Sequence, residues 1–123
     1  MFAPLTACGR PAPPAPRTVA VTRPAGTWQG RGDSTIGFPS ESGQFRITWE
    51  THGEQPAGAG RFRLTVHSAV SGRAMEVLVD QQGEQRGSAD FADLPRVYDF
   101  MIASANVDWT VSVEEVIVTT QAQ

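Results

Sequence analysis

The sequence predicts an all-β chain, an antiparallel β-sandwich of about seven or eight strands with jelly-roll or Ig-like topology, behind a disordered Pro-rich N-terminal arm. Three observations lead there. Several segments place apolar residues at every second position, the period of a half-buried strand. Candidate strands recur at roughly ten-residue spacings with Gly-bearing turns between them, as in sandwiches. No segment carries the 3.6-residue period of an amphipathic helix. A length of 123 residues, of which 40% are hydrophobic, suits one packed domain.

Residues 1–17 form the arm and residues 18–120 the domain. The arm contains Pro11, Pro13, Pro14 and Pro16 and favours extended polyproline II, which has no internal hydrogen bonds. TVAVT (18–22) is a candidate edge strand and STIGF (34–38) a shorter one. FRITWE (45–50) sets Phe45, Ile47 and Trp49 against Arg46, Thr48 and Glu50. FRLTVH (62–67) sets Phe62, Leu64 and Val66 against Arg63, Thr65 and His67. The intervening THGEQPAGAG is a loop, so these two strands are expected to pair as a hairpin, Trp49 opposite Phe62 and Glu50 opposite Arg61. MEVLVD (75–80) directs Met75, Val77 and Val79 inward. DFADLP (90–95) suits one turn at most. VYDFMIA (97–103) is almost continuously apolar and reads as a strand buried on both faces. VDWTVSVEE (107–115) directs Val107, Trp109, Val111 and Val113 inward, and its short link to 97–103 suggests a second hairpin with Phe100 near Trp109.

Charge narrows the function classes. The formal net charge is −3, and no basic cluster is present, so nucleic acid is a poor partner. No run approaches the roughly 18 apolar residues of a membrane-spanning helix. There is no nucleophile elbow, HExxH or phosphate-loop motif, which favours a non-catalytic role without a cofactor. His52 and His67 lack companions at metal-ligand spacing. The acids Asp33, Glu41, Asp90, Asp93 and Asp99 follow no calcium-loop pattern. All read as solvated, and no metal is expected.

Cys8 is the only cysteine. The prolines behind it argue against burial, and a catalytic thiol needs a base on a rigid scaffold. Leu5-Thr6-Ala7-Cys8 resembles the lipobox of bacterial lipoproteins. The resemblance implies cleavage before Cys8, lipidation of its sulfur, and an extracytoplasmic protein anchored to the bacterial cell membrane or outer membrane. Each buried CH₂ of an acyl chain contributes about 0.8 kcal/mol to such an anchor. Only Met1-Phe2-Ala3-Pro4 precede the box, so the resemblance also implies a start upstream of Met1 or a leader already trimmed. The segment from Cys8 to Arg17, at about 3.1 Å per residue, spans on the order of 30 Å and acts as a spacer. The alternative is an arm whose cysteine has no role.

WQGRGDSTIGFPSESGQFRITWE, with Trp109-Thr110-Val111 near the C-terminus, is similar to small secreted bacterial sandwich domains, which supports the fold. GRGDS (30–34) resembles the integrin-binding loop of fibronectin-like adhesion proteins, which implies Arg31 and Asp33 as contact residues. The plainer reading is a turn: Gly30 and Gly32 permit positive φ, and Asp33 and Ser34 bond the local backbone. Trp49 and Trp109 fall on the inward phase of their strands. Trp28 lies outside a clear period and is the candidate exposed aromatic for stacking on a sugar. The expectation is a membrane-tethered interaction or envelope-structural module whose partner is a cell-envelope protein or glycan. The alternative is a carbohydrate- or small-ligand-binding sandwich using Trp28, Arg31 and Asp33.

Overall fold

The computed structural model describes residues 17–121. These form eight strands and no helix: β1 (Arg17–Arg31), β2 (Ser34–Ser40), β3 (Gln44–His52), β4 (Arg61–Ser68), β5 (Ala74–Gln82), β6 (Arg86–Ala92), β7 (Arg96–Ala105) and β8 (Asp108–Gln121). Two four-stranded sheets result, in the orders β1-β8-β3-β6 and β2-β7-β4-β5. All pairings are antiparallel.

The pairs are nested. β1 lies beside β8, β2 beside β7, β3 beside β6, and β4 beside β5. The chain behaves as one long hairpin with its tip between β4 and β5, rolled up so that the six connections other than that tip all cross between sheets. This is the double Greek key of a jelly roll, which resolves the topology that strand periodicity leaves open. The inner faces interdigitate, and aromatic residues dominate the core. Phe45 packs edge-on to Phe38 at 5.2 Å and lies 5.0 Å from Phe91. The Tyr98 hydroxyl donates to the Leu94 carbonyl, and burial pushes the Tyr98 phenol above its ordinary value.

Both expected hairpins are corrected. β3 pairs with β6 and β8, while β4 pairs with β5 and β7. Trp49 and Phe62 do meet, but across the sandwich, with rings stacked at 5.8 Å. Glu50 faces Arg86 and Thr110 rather than Arg61. Likewise β7 and β8 belong to opposite sheets, and the 106–107 link is an inter-sheet crossing. Alternation reports which face a side chain takes, and both arrangements put the same residues inward.

Three strand readings change as well. β7 alternates: Tyr98, Phe100 and Ile102 are buried, whereas Val97 and Met101 are 44% and 41% exposed. One face of its sheet is therefore open to solvent. In β5, register shifts opposite Leu64/Thr65 and Val66/His67 leave Leu78 and Met75 without Cα partners. These bulges let Met75, Leu78 and Val79 pack on the core and turn Val77 outward. The 90–95 segment is not a turn throughout, because Asp90–Ala92 complete β6. β6 escapes sequence detection because its residue opposite Trp49 is Gly87, over which the indole packs closely. A Cβ there would lie 3.1 Å from the Trp49 ring. The proposed lipidation site Cys8 and the Pro-rich spacer lie outside the described residues.

Candidate functional site

The three residues singled out from sequence for binding occupy three separate surroundings. Trp28 projects from β1 toward β2 and lines a groove of about 240 Å³ with Arg23, Gly37, Phe38, Glu41 and Glu115. It is partly buried against the core, while Trp49 and Trp109 are buried as their period implies. Gly26 is required beneath it: a Cβ there would lie 2.6 Å from the indole.

The polar groups of this groove are engaged with one another. Arg23 Nη2 donates to Glu41 Oε2 at 2.9 Å. Glu115 is only 2% exposed, and its carboxylate accepts from Ser40 Oγ at 2.6 Å, Glu41 N at 3.0 Å and Ser42 Oγ at 3.1 Å. Ser40 Oγ in turn accepts from Gly43 N at 2.9 Å. Glu115 therefore clamps the β2–β3 turn from within, and its lone pairs are occupied as burial of a carboxylate demands.

The GRGDS segment closes one end of the sandwich. Arg31 Nη1 donates to Gly53 O and Asp108 Oδ1, each at 3.2 Å. Gly32 has φ +87° and its carbonyl accepts from Trp109 Nε1 at 3.0 Å. Asp33 Oδ1 accepts from Ser104 N at 2.9 Å, a bond to β7 rather than to the local backbone. Gly30 serves close approach and not positive φ, since a Cβ there would lie 2.8 Å from the Trp109 ring.

A different arrangement lies on the solvent face of the β2-β7-β4-β5 sheet. A hollow of about 330 Å³ is bordered by Asp33, Arg61, Arg63, Asp80 and Ser104. A neighbouring hollow of about 510 Å³ shares Asp33, Arg63 and Ala103 with it and adds Thr35, Thr65 and Met101. Strand register explains the shape. Ala105 and Ala103 of β7 are the Cα partners of Arg61 and Arg63 of β4, so two short side chains lie beside two long ones. On the other flank Asp80 of β5 is the partner of Arg63.

Asp33 is held by Ser104 N, whereas the two arginines and Asp80 are unengaged among the described residues. The ion pairs among the described residues are Arg23–Glu41, Arg31–Asp108, Arg46–Asp90 and Arg96–Asp93. Arg61, Arg63 and Asp80 belong to none of them. Ser104 Oγ is the one buried side-chain polar atom without a partner among the described residues. Two guanidiniums two residues apart on one strand face sit about 7 Å apart at their Cα atoms. Each presents a planar fork of donors suited to a carboxylate or sulfate, and the nearby carboxylates accept from hydroxyl groups. The face therefore offers donors and acceptors together, without an aromatic platform.

Among the described residues no three His, Cys, Asp or Glu side chains assemble as a metal-ligand set. His67 Nδ1 lies 3.1 Å from Gly72 O within its own turn. Of the outer-face set, sequence reasoning identified only Asp33. The alternation of FRLTVH does place Arg61 and Arg63 on one outward face, but Asp80 and the two alanines join them only through inter-strand register. Comparison of the chain with protein-family models, curated proteins and solved structures finds no match.

Proposed function

We propose that this chain is a non-catalytic, membrane-tethered binding module of the bacterial cell envelope that takes an acidic, hydroxyl-rich ligand, an acidic glycan, on the outer face of the β2-β7-β4-β5 sheet. The observation that carries this reading is the cluster of charged groups around one hollow, Arg61, Arg63 and Asp80, which have no ion-pair partner among the described residues. An acidic sugar supplies what they lack: a carboxylate for the guanidinium forks and hydroxyls for Asp80 and the neighbouring Asp33. Net attraction is modest because the two carboxylates oppose an anion, which favours recognition of the ligand's shape over simple charge capture. The tether is carried by the lipobox resemblance at Cys8 and the proline spacer behind it.

Calorimetric titration with a uronic-acid oligosaccharide and with its uncharged counterpart tests the site. Binding of the acidic form, weakened in Arg61→Ala and Arg63→Ala, is expected. Equal binding of the neutral form, no binding of either, or binding indifferent to both substitutions overturns the reading. The tether has a separate test. Palmitate incorporation into a precursor carrying a leader is expected to vanish in Cys8→Ala, and a precursor that takes up no label removes the anchor.

A further inference from the structure

β8 is longer than the sheet that holds it. Its pairing with β3 runs from Asp108 to Glu115, opposite His52 to Phe45. Its pairing with β1 continues to Gln121, opposite Arg17. From Val116 onward β8 therefore has a neighbour on one side only. Residues 17–22 and 116–121 form a two-stranded ribbon beyond the end of β3, and among the described residues nothing pairs with the free edge of 116–121.

Two aliphatic side chains of the ribbon are left in solvent among its threonines. Val118 is 49% and Val21 47% exposed. Ile117 pairs with Val21 and Val118 with Ala20, so aliphatic groups lie on both faces. A two-stranded ribbon is marginal in water, and further strands with an apolar face are what stabilise it. An exposed, β-branched edge is a template for another strand.

The geometry points to a second copy of this chain as the occupant, with β8 pairing antiparallel to its own copy about a two-fold axis. Two features select self-pairing. VIVTTQ (116–121) carries no charge and no proline, so an isologous contact, in which each residue meets the same six-residue segment, places no like charges opposite one another. The other edge of the ribbon, on β1, is guarded at its ends: Arg17 stands at one, and Arg23 and Pro24 follow directly after the other, and charged residues and proline are what native edges use to refuse partners. Pairing through β8 converts two ribbons into one four-stranded sheet, β1-β8-β8-β1, with each sandwich body at an opposite end. The inference stands apart from the glycan reading, since the outer-face hollows lie on the other sheet.

Size exclusion with light scattering on the 123-residue chain, carrying Cys8→Ser to remove disulfide dimers, tests it. A dimer is expected in this background. Val118→Lys and Thr119→Lys, both at exposed positions, are expected to raise the dimer dissociation constant by about tenfold or more with unchanged melting of the sandwich. A monomer across the accessible concentration range overturns the inference. So does a dimer that neither lysine weakens. A monomer whose 116–121 amides are protected from hydrogen exchange overturns it too, by assigning the edge to the chain's own N-terminal segment.

Discussion

The Trp28 groove and the outer-face hollow look alike in charge, since each has arginine and carboxylate groups around a depression. They differ in whether those groups are already satisfied. Beside Trp28, Arg23 holds Glu41, and Glu115 holds Ser40, Ser42 and the Glu41 amide. Around the outer hollow, Arg61, Arg63 and Asp80 hold nothing among the described residues. A polar group that is satisfied internally stabilises the fold and has little left for a ligand. One that is exposed and unengaged contributes little to folding and is available for recognition. Composition alone would have favoured the aromatic groove, and the hydrogen-bond pattern reverses that choice.

Substitutions divide along this line. The largest effect is expected for Glu115→Ala, which strands the buried Ser40 hydroxyl and the Glu41 amide at the β2–β3 turn and leaves a cavity. It should lower stability by about 3 kcal/mol or more in chemical denaturation and leave the intrinsic affinity of the folded fraction unchanged. Trp28→Ala should cost about 2 kcal/mol, less than a fully buried tryptophan because the ring is only partly covered, again without changing the titration with an acidic oligosaccharide. If Trp28→Ala instead abolishes binding in a folded protein, the functional groove is the one beside β1 and the contrast drawn above is wrong.

The outer face should respond in the opposite sense. Arg63→Ala is expected to weaken the acidic ligand by tenfold or more, since a charge-assisted bond is worth about 1.5–3 kcal/mol, while stability changes by less than about 0.5 kcal/mol. Ser104→Ala sharpens the comparison with the smallest effect. Removing an unpartnered buried hydroxyl should leave thermal stability equal or up to about 1 kcal/mol higher. A loss of stability larger than that would mean that Ser104 Oγ is satisfied in solution.

Alkaline pH separates a buried group from both surfaces. The folded state holds the Tyr98 phenol above its ordinary value through burial. Its contribution is therefore complete below the ordinary tyrosine range and is lost as pH rises through the raised value. Denaturation curves should show this alkaline loss in the wild type and a flatter profile in Tyr98→Phe. An identical slope in both would assign the loss to another group.

Much of the fold was legible because burial imposes period two wherever one face of a strand meets the core. Phe45, Ile47 and Trp49, Phe62, Leu64 and Val66, and Val107 through Val113 all point inward as their spacing implies. The failures are equally physical. β6 was hidden because Gly87, Ser88 and Ala89 carry too little hydrophobicity to show a period, and Trp49 packs closely over Gly87. β5 was misphased because bulges at Met75 and Leu78 interrupt the alternation. Val97 and Met101 made β7 read as doubly buried, though they lie on an open face. At the candidate sites, Trp28 was read as the exposed tryptophan outside any period, yet it shares the less exposed phase of β1 with Gly26 and Gly30 and packs partly on the core, with partners from β2 and β8. Arg31 and Asp33, one residue apart in a conspicuous motif, turn to different neighbours.

The sequence by itself determined that the domain is all-β, where most strands run, and which side chains form its apolar interior, because these follow from local alternation and turn chemistry. Which strands are neighbours was decided only by the tertiary structure. A residue's inward direction is compatible with a partner beside it in the sheet or facing it across the sandwich, and Trp49 and Phe62 take the second option. The same non-local register sets Arg61, Arg63 and Asp80 around one hollow and leaves the end of β8 without a neighbour, since both depend on where distant strands begin and stop.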